Sequence, residues 1–263
     1  MINKENYFRD GYISPIDILS PEETLTHRKE LETAEKKIGS LHYKTKVHTI
    51  LKSPYELAIN KKVLNIVEDL IGPNILLYNV TYIIKEPNTS SHVSWHQDLT
   101  YWGFNSDNVV SMWLALSEAN ELSGAMEIIP GSHNLGVFDH EKTNDKSNVL
   151  LQGQTVKDVN NDNSVLCALK PGQASFHHGW VLHKSGLNNS IDRRIGLNVQ
   201  YISTDVKQLK IENDSAFCVK GKDLYNNFNV DVPAKSNLDP LALSLFNDLD
   251  KNYKDLQKIA NKV

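Results

Sequence analysis

The stretch Ser94-Trp95-His96-Gln97-Asp98 is the densest run of reactive side chains in the chain. On an extended strand, residues two apart point to the same face, so His96 and Asp98 present an imidazole and a carboxylate together. These are two of the donors in a two-His, one-carboxylate set, which leaves adjacent positions open on non-haem Fe(II). The second histidine must come from elsewhere, and His133, His140, His177, His178 and His183 all lie downstream. The richest segment runs from Gly172 to His183, and Arg194 stands eleven residues beyond its end. Only four of the 28 basic residues are arginine, and two of those are the adjacent Arg193 and Arg194. A guanidinium grips a carboxylate in bidentate fashion, which an ammonium does not do. A distal His, a turn at Asn188-Asn189 and an Arg on the returning strand therefore suit a dicarboxylate such as 2-oxoglutarate, one end on the metal and the other on Arg194.

Such a set needs strands to hold it, and the chain supplies them after a helical start. Ser20-Pro21-Glu22-Glu23 opens a helix that Gly39 closes, and Ser53-Pro54 opens another that ends at Gly72-Pro73. From residue 74 the pattern changes to short β-rich runs: Ile75 to Tyr78, Thr81 to Ile84, Val109 to Leu116, Ala125 to Ile129, Ser164 to Leu169, Ala174 to Phe176 and Ile195 to Ile202. Turn signals such as Ser123-Gly124, Pro130-Gly131 and Pro171-Gly172 separate them. Many short strands at close spacing predict a sandwich or barrel. The polar stretch 134–163 reads as a long loop near a mouth, and the periodic tail from Leu238 to Ala260 as a helix packed on the outside. The expected organisation is one domain over 1–263: a helical flank over about 1–73, a β core over about 74–205, and a loop and helix over about 206–263.

Composition narrows the function classes. The chain has 263 residues, 40% of them apolar, with a net charge of −4. That balance disfavours nucleic acid as a partner. No run approaches the roughly 18 apolar residues of a membrane span, and the charged N-terminus lacks a signal-peptide core. Cys167 and Cys218 form neither a disulfide framework nor a CxxC pair, so the expected compartment is the cytoplasm.

Several motifs stand together in order: Phe8-x-x-Gly11-Tyr12, Trp95-His96-Gln97-Asp98, Thr100-Tyr101-Trp102-Gly103, Gly124-Ala125-Met126, Ile129-Pro130-Gly131-Ser132-His133, then His183, Ser185-Gly186 and Arg194. Over about residues 7 to 203 the chain resembles the phytanoyl-CoA dioxygenase family, and its Trp-His-Gln-Asp stretch looks like the bacterial small-molecule branch. The resemblance implies a mainly β fold with flanking α, a double-stranded β-helix (jelly-roll, cupin-like) core. It implies Fe(II), 2-oxoglutarate as cosubstrate, and O2. It assigns His96, Asp98 and His183 to the metal, Arg194 and Ser185 to the far carboxylate of 2-oxoglutarate, and Trp113 to the wall of that pocket. The carboxylate of Asp98 implies a hydroxylase and not a halogenase, releasing succinate and CO2.

Other residues have quieter readings. Tyr101 and Trp102 belong to the core or to a substrate pocket. Asn198 shares the strand parity of Arg194 and faces the interior, whereas Arg193 faces away. His133 fixes a loop or borders the pocket. His177 and His178 read as structural. The basic segment His42, Lys44, Lys46, His48 is a solvated loop or closes over an anionic substrate. The expected substrate is a small, polar or anionic metabolite, in the manner of an aminoalkylphosphonate or amino acid, acted on by a monomer or homodimer. The competing expectations are an acyl-CoA hydroxylase, a zinc hydrolase or isomerase using the same donors, and a non-catalytic 2-oxoglutarate sensor.

Overall fold

The computed structural model describes residues 3–143, 145–150 and 153–260. Two facing sheets carry the fold. The larger has seven strands: β1 (Tyr12–Asp17), β7 (Gln173–His178), β4 (Val109–Ala115), β9 (Arg194–Ser203), β2 (Ile75–Lys85), β10 (Ser215–Lys220) and β11 (Asn229–Val230), in that spatial order. The smaller has four: β3 (Val93–His96), β8 (His183–Ser185), β5 (Met126–Ile128) and β6 (Val165–Cys167). Every pairing is antiparallel except that of β10 with β11. This is a jelly-roll arrangement whose sheets do not close into a barrel.

Period-two alternation decides what each face of the large sheet does. Val110, Met112 and Leu114 on β4, with Ile195, Leu197, Val199 and Tyr201 on β9, point outward into the main apolar cluster. Three helices cover them: α2 (Pro21–Ile38), α3 (Lys52–Ala58) and α4 (Lys61–Ile71). The intervening residues, among them Trp113, Arg194, Asn198 and Gln200, point inward to a cavity between the sheets. Strand β2 changes face midway. Its register with β9 slips between Leu77 and Asn79, a bulge. Ile75 and Leu77 face the helices before it, and Val80, Tyr82 and Ile84 face them after it. Asn79, Thr81 and Ile83 are thereby turned to the cavity.

Helix α2 starts as expected, with a capping box between Ser20 and Glu23 and Pro21 in the first turn. The single helix expected from Ser53 to Gly72 is two. The Asn60 side chain accepts from the backbone N–H of Lys62 and Val63 and so begins α4 afresh. Strands from outside 74–205 join the large sheet: β1 comes from the segment read as helical flank, and β10 and β11 follow the expected core. The tail helix α5 (Pro240–Ala260) does not simply pack on the outside. Its Tyr253 is buried against Tyr78, donates to Gln200 Oε1 at 3.1 Å, and lines the cavity together with Lys254. No described helix is long and apolar enough to cross a membrane.

Candidate active site

His96 ends β3 and His183 begins β8, and the two are Cα partners across that antiparallel pair. Asp98 is not on the strand with His96. The backbone stays extended through Gln97, and Asp98 opens a 3-10 turn over Asp98–Tyr101. One extended residue is enough to preserve the alternation, so Asp98 returns to the face of His96. Gln97 points the other way, where its side chain donates to Gly136 O and Trp180 O and accepts from Phe138 N. One donor atom from each of His96, Asp98 and His183 lies within 4.8 Å of the others. His96 Nε2 and His183 Nε2 stand 3.5 and 3.8 Å from Asp98 Oδ1.

The surroundings prepare these groups as ligands. His96 Nδ1 donates to Ser94 O at 2.9 Å and His183 Nδ1 to Val181 O at 3.1 Å, which leaves each Nε2 lone pair free to bind. Burial, then the neighbouring His96, push the His183 imidazole well below its ordinary pKa, so it stays neutral. Burial pushes Asp98 up, but His177, His96 and His183 outweigh it and hold the carboxylate ionised. Ser111 Oγ donates to Asp98 Oδ2 at 3.1 Å, so Oδ1 is left for the imidazole side. A neutral His183 imidazole and an ionised Asp98 carboxylate are in the states a divalent metal requires, and the His96, Asp98 and His183 set fits Fe(II).

Arg194 begins β9 on the floor of the same cavity, which has a volume of about 290 Å³. Its guanidinium is 2% exposed and donates through Nη1 to Gly124 O at 2.8 Å. Among the described residues its Nε and Nη2 have no partner and no acid pairs with it. Burial lowers it to about 10. The guanidinium lies 5.1 Å from the Trp113 ring centroid. That ring has room because residue 196 is glycine: a Cβ there would stand 2.0 Å from a Trp113 ring atom. Ser185 lines the cavity too, two residues beyond His183 on β8. Arg193 points outward to Glu35 on α2 at 2.8 Å and to Glu86 at 2.9 Å.

The remaining residues sort differently. Tyr101, Trp102 and Asn198 line the cavity, and Asn198 Oδ1 is buried without a partner. Trp102 also packs into the cluster around Tyr78, so the two readings of that residue are one position. His133 does not reach the cavity lining. It stands on the far side of β7, its Nε2 3.2 Å from Phe8 O and its ring against His178, and it ties the end of the first helix, α1 (Lys4–Asp10), to the turn after β5. In the basic segment, Tyr43 and Thr45 reach the cavity but the cations do not serve it. Lys44 pairs with Asp250, Lys46 with Asp231, and His48 is wholly buried. Val149 and Leu150 bring the 134–163 loop to the mouth.

Two further side chains shape the site: His177, which reads as structural in the sequence, and Lys85, which has no assigned role there. His177, on the inner face of β7, lines the cavity with its Nε2 3.5 Å from Asp98 Oδ2. Strand parity with Ser175 would place it inside, but a His-His pair does not say which ring is inward. Lys85, at the end of β2, is 2% exposed and donates to Ser185 Oγ at 2.7 Å. Its inward face depends on the bulge and has no signal in the sequence.

A jelly roll with this His-Asp-His set defines a class of metal-dependent oxygenase folds. The phytanoyl-CoA dioxygenase family model matches residues 7–196, and the chain belongs to that family of Fe(II)- and 2-oxoglutarate-dependent oxygenases. A probable alpha-ketoglutarate-dependent hypophosphite dioxygenase of Stutzerimonas stutzeri is 29% identical over 151 residues, 57% of this chain and 52% of that protein. The chain spans about half the length of the curated relatives it matches. Among solved structures, the apo form of the non-heme monooxygenase ThoJ superposes with a TM-score of 0.86 at 25% identity, covering 97% of both chains. CytC3 with Fe(II) and alpha-ketoglutarate gives 0.64 at 22% identity over 88% of this chain and 95% of that one, a likeness of fold.

Proposed function

We propose that this protein is a hydroxylase that acts on an unactivated C–H bond of a small polar metabolite, using Fe(II), 2-oxoglutarate and O2. His96, Asp98 and His183 hold the metal. Arg194 and Ser185 hold the far carboxylate of 2-oxoglutarate, and the Trp113 ring forms the wall beside it. The observation that carries this reading is the pairing, in one cavity, of three convergent donors with a buried guanidinium that keeps two N–H groups unpartnered. A zinc hydrolase has no use for that second feature.

When bound, Fe(II) with 2-oxoglutarate supplies O2-dependent oxidation of the substrate, with succinate and CO2 released. The chain supplies placement and exclusion. Ser94 O and Val181 O orient the imidazoles, Ser111 orients the carboxylate, and Arg194 would take the far carboxylate of the cosubstrate. Tyr43, Tyr101 and Tyr253 screen the cavity from water. A polar substrate is supported by Asn79, Thr81, Asn198 and Gln200 on the cavity wall. The hypophosphite relative also favours a small one. The basic segment no longer argues for an anion, because Lys44 and Lys46 are matched to acids of the chain.

The test is succinate formation by Fe(II)-loaded protein given 2-oxoglutarate and O2, with pooled amino acids, aminoalkylphosphonates, betaines and acyl-CoA esters. Succinate should rise with one pool and vanish in His183→Ala. A metal-loaded protein that makes none with any pool, and binds no 2-oxoglutarate, would sink the assignment.

A further inference from the structure

Lys85 sits behind the cosubstrate end of the cavity without lining it. It is the Cα partner of Arg194 across the β2–β9 pair. Both residues are 2% exposed, and among the described residues neither has an ion-pair partner. Adjacent buried cations repel each other, and each has given up its hydration. Burial, then Arg194, lower the Lys85 ammonium to about 6. An anion beside Arg194 offsets the repulsion from Arg194, the smaller of these two causes, and so favours the ammonium form of Lys85.

The contacts of Lys85 show what the charge does. Its Nζ donates to Ser185 O at 3.0 Å, to Ser185 Oγ at 2.7 Å, and to Gly186 O. Three acceptors match the three protons of an ammonium. A serine hydroxyl has one proton. Because Ser185 Oγ accepts from Lys85, that proton must be given elsewhere. Among the described residues nothing accepts it, and the side of Ser185 away from Lys85 is the cavity wall. Nε and Nη2 of Arg194, unpartnered among the described residues, line the same cavity.

We propose that Lys85 is a positioning residue: it holds Ser185 with its hydroxyl proton turned into the cavity, so that Ser185 and Arg194 together receive the far carboxylate of a dicarboxylate cosubstrate. The inference rests on the function proposed above. It predicts that Lys85 acts only on ligands that carry the second carboxylate, and only through Ser185.

The experiment compares 2-oxoglutarate with 2-oxopentanoate, which has the same metal-binding end and chain length but no far carboxylate. Both are titrated into anaerobic Fe(II)-loaded protein and followed by tryptophan fluorescence and by visible absorption, with no turnover. Lys85→Met should weaken 2-oxoglutarate about tenfold, the scale of one misdirected charge-assisted hydrogen bond, and leave 2-oxopentanoate within about twofold. In a Ser185→Ala background, Lys85→Met should add almost nothing. Equal loss for both acids, no loss for either, or additive loss in the double variant would overturn the proposal and reduce Lys85 to a brace for β8. If Lys85→Met does not fold, Lys85→Gln is held to the same criteria. Failure of the wild-type protein to bind 2-oxoglutarate would instead strike the function reading itself.

Discussion

The molecule buries two lysines under the same sheet and treats them in opposite ways. Lys46 and Lys85 both reach backbone carbonyls through Nζ, and both are almost sealed from water. Lys46 also has an acid of its own: Asp231 Oδ2 lies 3.0 Å away, with His48 Nε2 3.4 Å from the same oxygen. Burial pushes Asp231 up, but Lys46, His48 and Ser215 hold its carboxyl well below the usual carboxylate range. Among the described residues Lys85 has no acid, and its neighbour across the strands is Arg194. A buried cation matched inside the chain is a closed structural device that ties the 42–48 segment to β10 and β11. Lys85 and Arg194, buried side by side with no acid among the described residues, are costly to hold charged together, and that cost is offset when an anion from outside completes the pair. The difference separates scaffold from binding site without reference to any relative.

Breaking the closed cluster should have the largest effect. Asp231→Asn leaves Lys46 buried and unpaired, and stability to denaturant at neutral pH should fall by about 3–5 kcal/mol. The loss should depend on pH. The Asp231 carboxyl is lower in the folded than in the unfolded chain, so its contribution is complete above about pH 4 and lost as pH falls toward the folded value. The gap between wild type and Asp231→Asn should therefore narrow on acidification; a gap that widens would mean that Asp231 is not the counter-charge.

Arg194→Met should do the reverse. Cosubstrate affinity should fall by roughly 2–4 kcal/mol, or about 30- to 1000-fold, as expected when one partner of a buried charge pair is truncated. Stability without cosubstrate should hold or rise, because a desolvated cation with unpartnered N–H groups has gone. Calorimetric melting with and without 2-oxoglutarate reads both halves. A strongly lowered melting temperature in the cosubstrate-free variant would erase the contrast with Lys46.

Gly196→Ala sharpens the comparison at smaller scale. A Cβ 2.0 Å from Trp113 must displace the ring that lies beside Arg194. Overpacking of this kind costs about 1–3 kcal/mol, and here cosubstrate affinity should drop alongside stability. The corresponding affinity should not move in Asp231→Asn.

Much of the site was legible because its chemistry is local or scarce. His96 and Asp98 needed only strand parity, and Arg194 stood out because the chain has so few arginines. The positions of His183, Ser185 and Trp113 came from their order along a recognised motif set. The readings that changed depended on packing. His133 reads as fixing a loop or bordering the pocket, and packing selects the first: it meets α1 through Phe8 O and stays off the cavity lining. Lys44 and Lys46 look like free cations, yet their acids lie about 200 and 185 residues away in the chain.

The residues alone carried the β-rich core, the capped α2, the His96 and Asp98 donors on one face, and the rare guanidinium that could meet a dicarboxylate. These follow from period, capping and side-chain chemistry, all local properties. Only the tertiary structure decided which lysine is spent inside the chain and which is held for a ligand. It also decided that α5 brings Tyr253 to the cavity and that His177 faces Asp98. The physical reason is register: a single bulge in β2 inverts the faces of the residues after it and sets Lys85 against Ser185. A one-residue slip of that kind is a property of the pairing with β9, not of the strand's own residues.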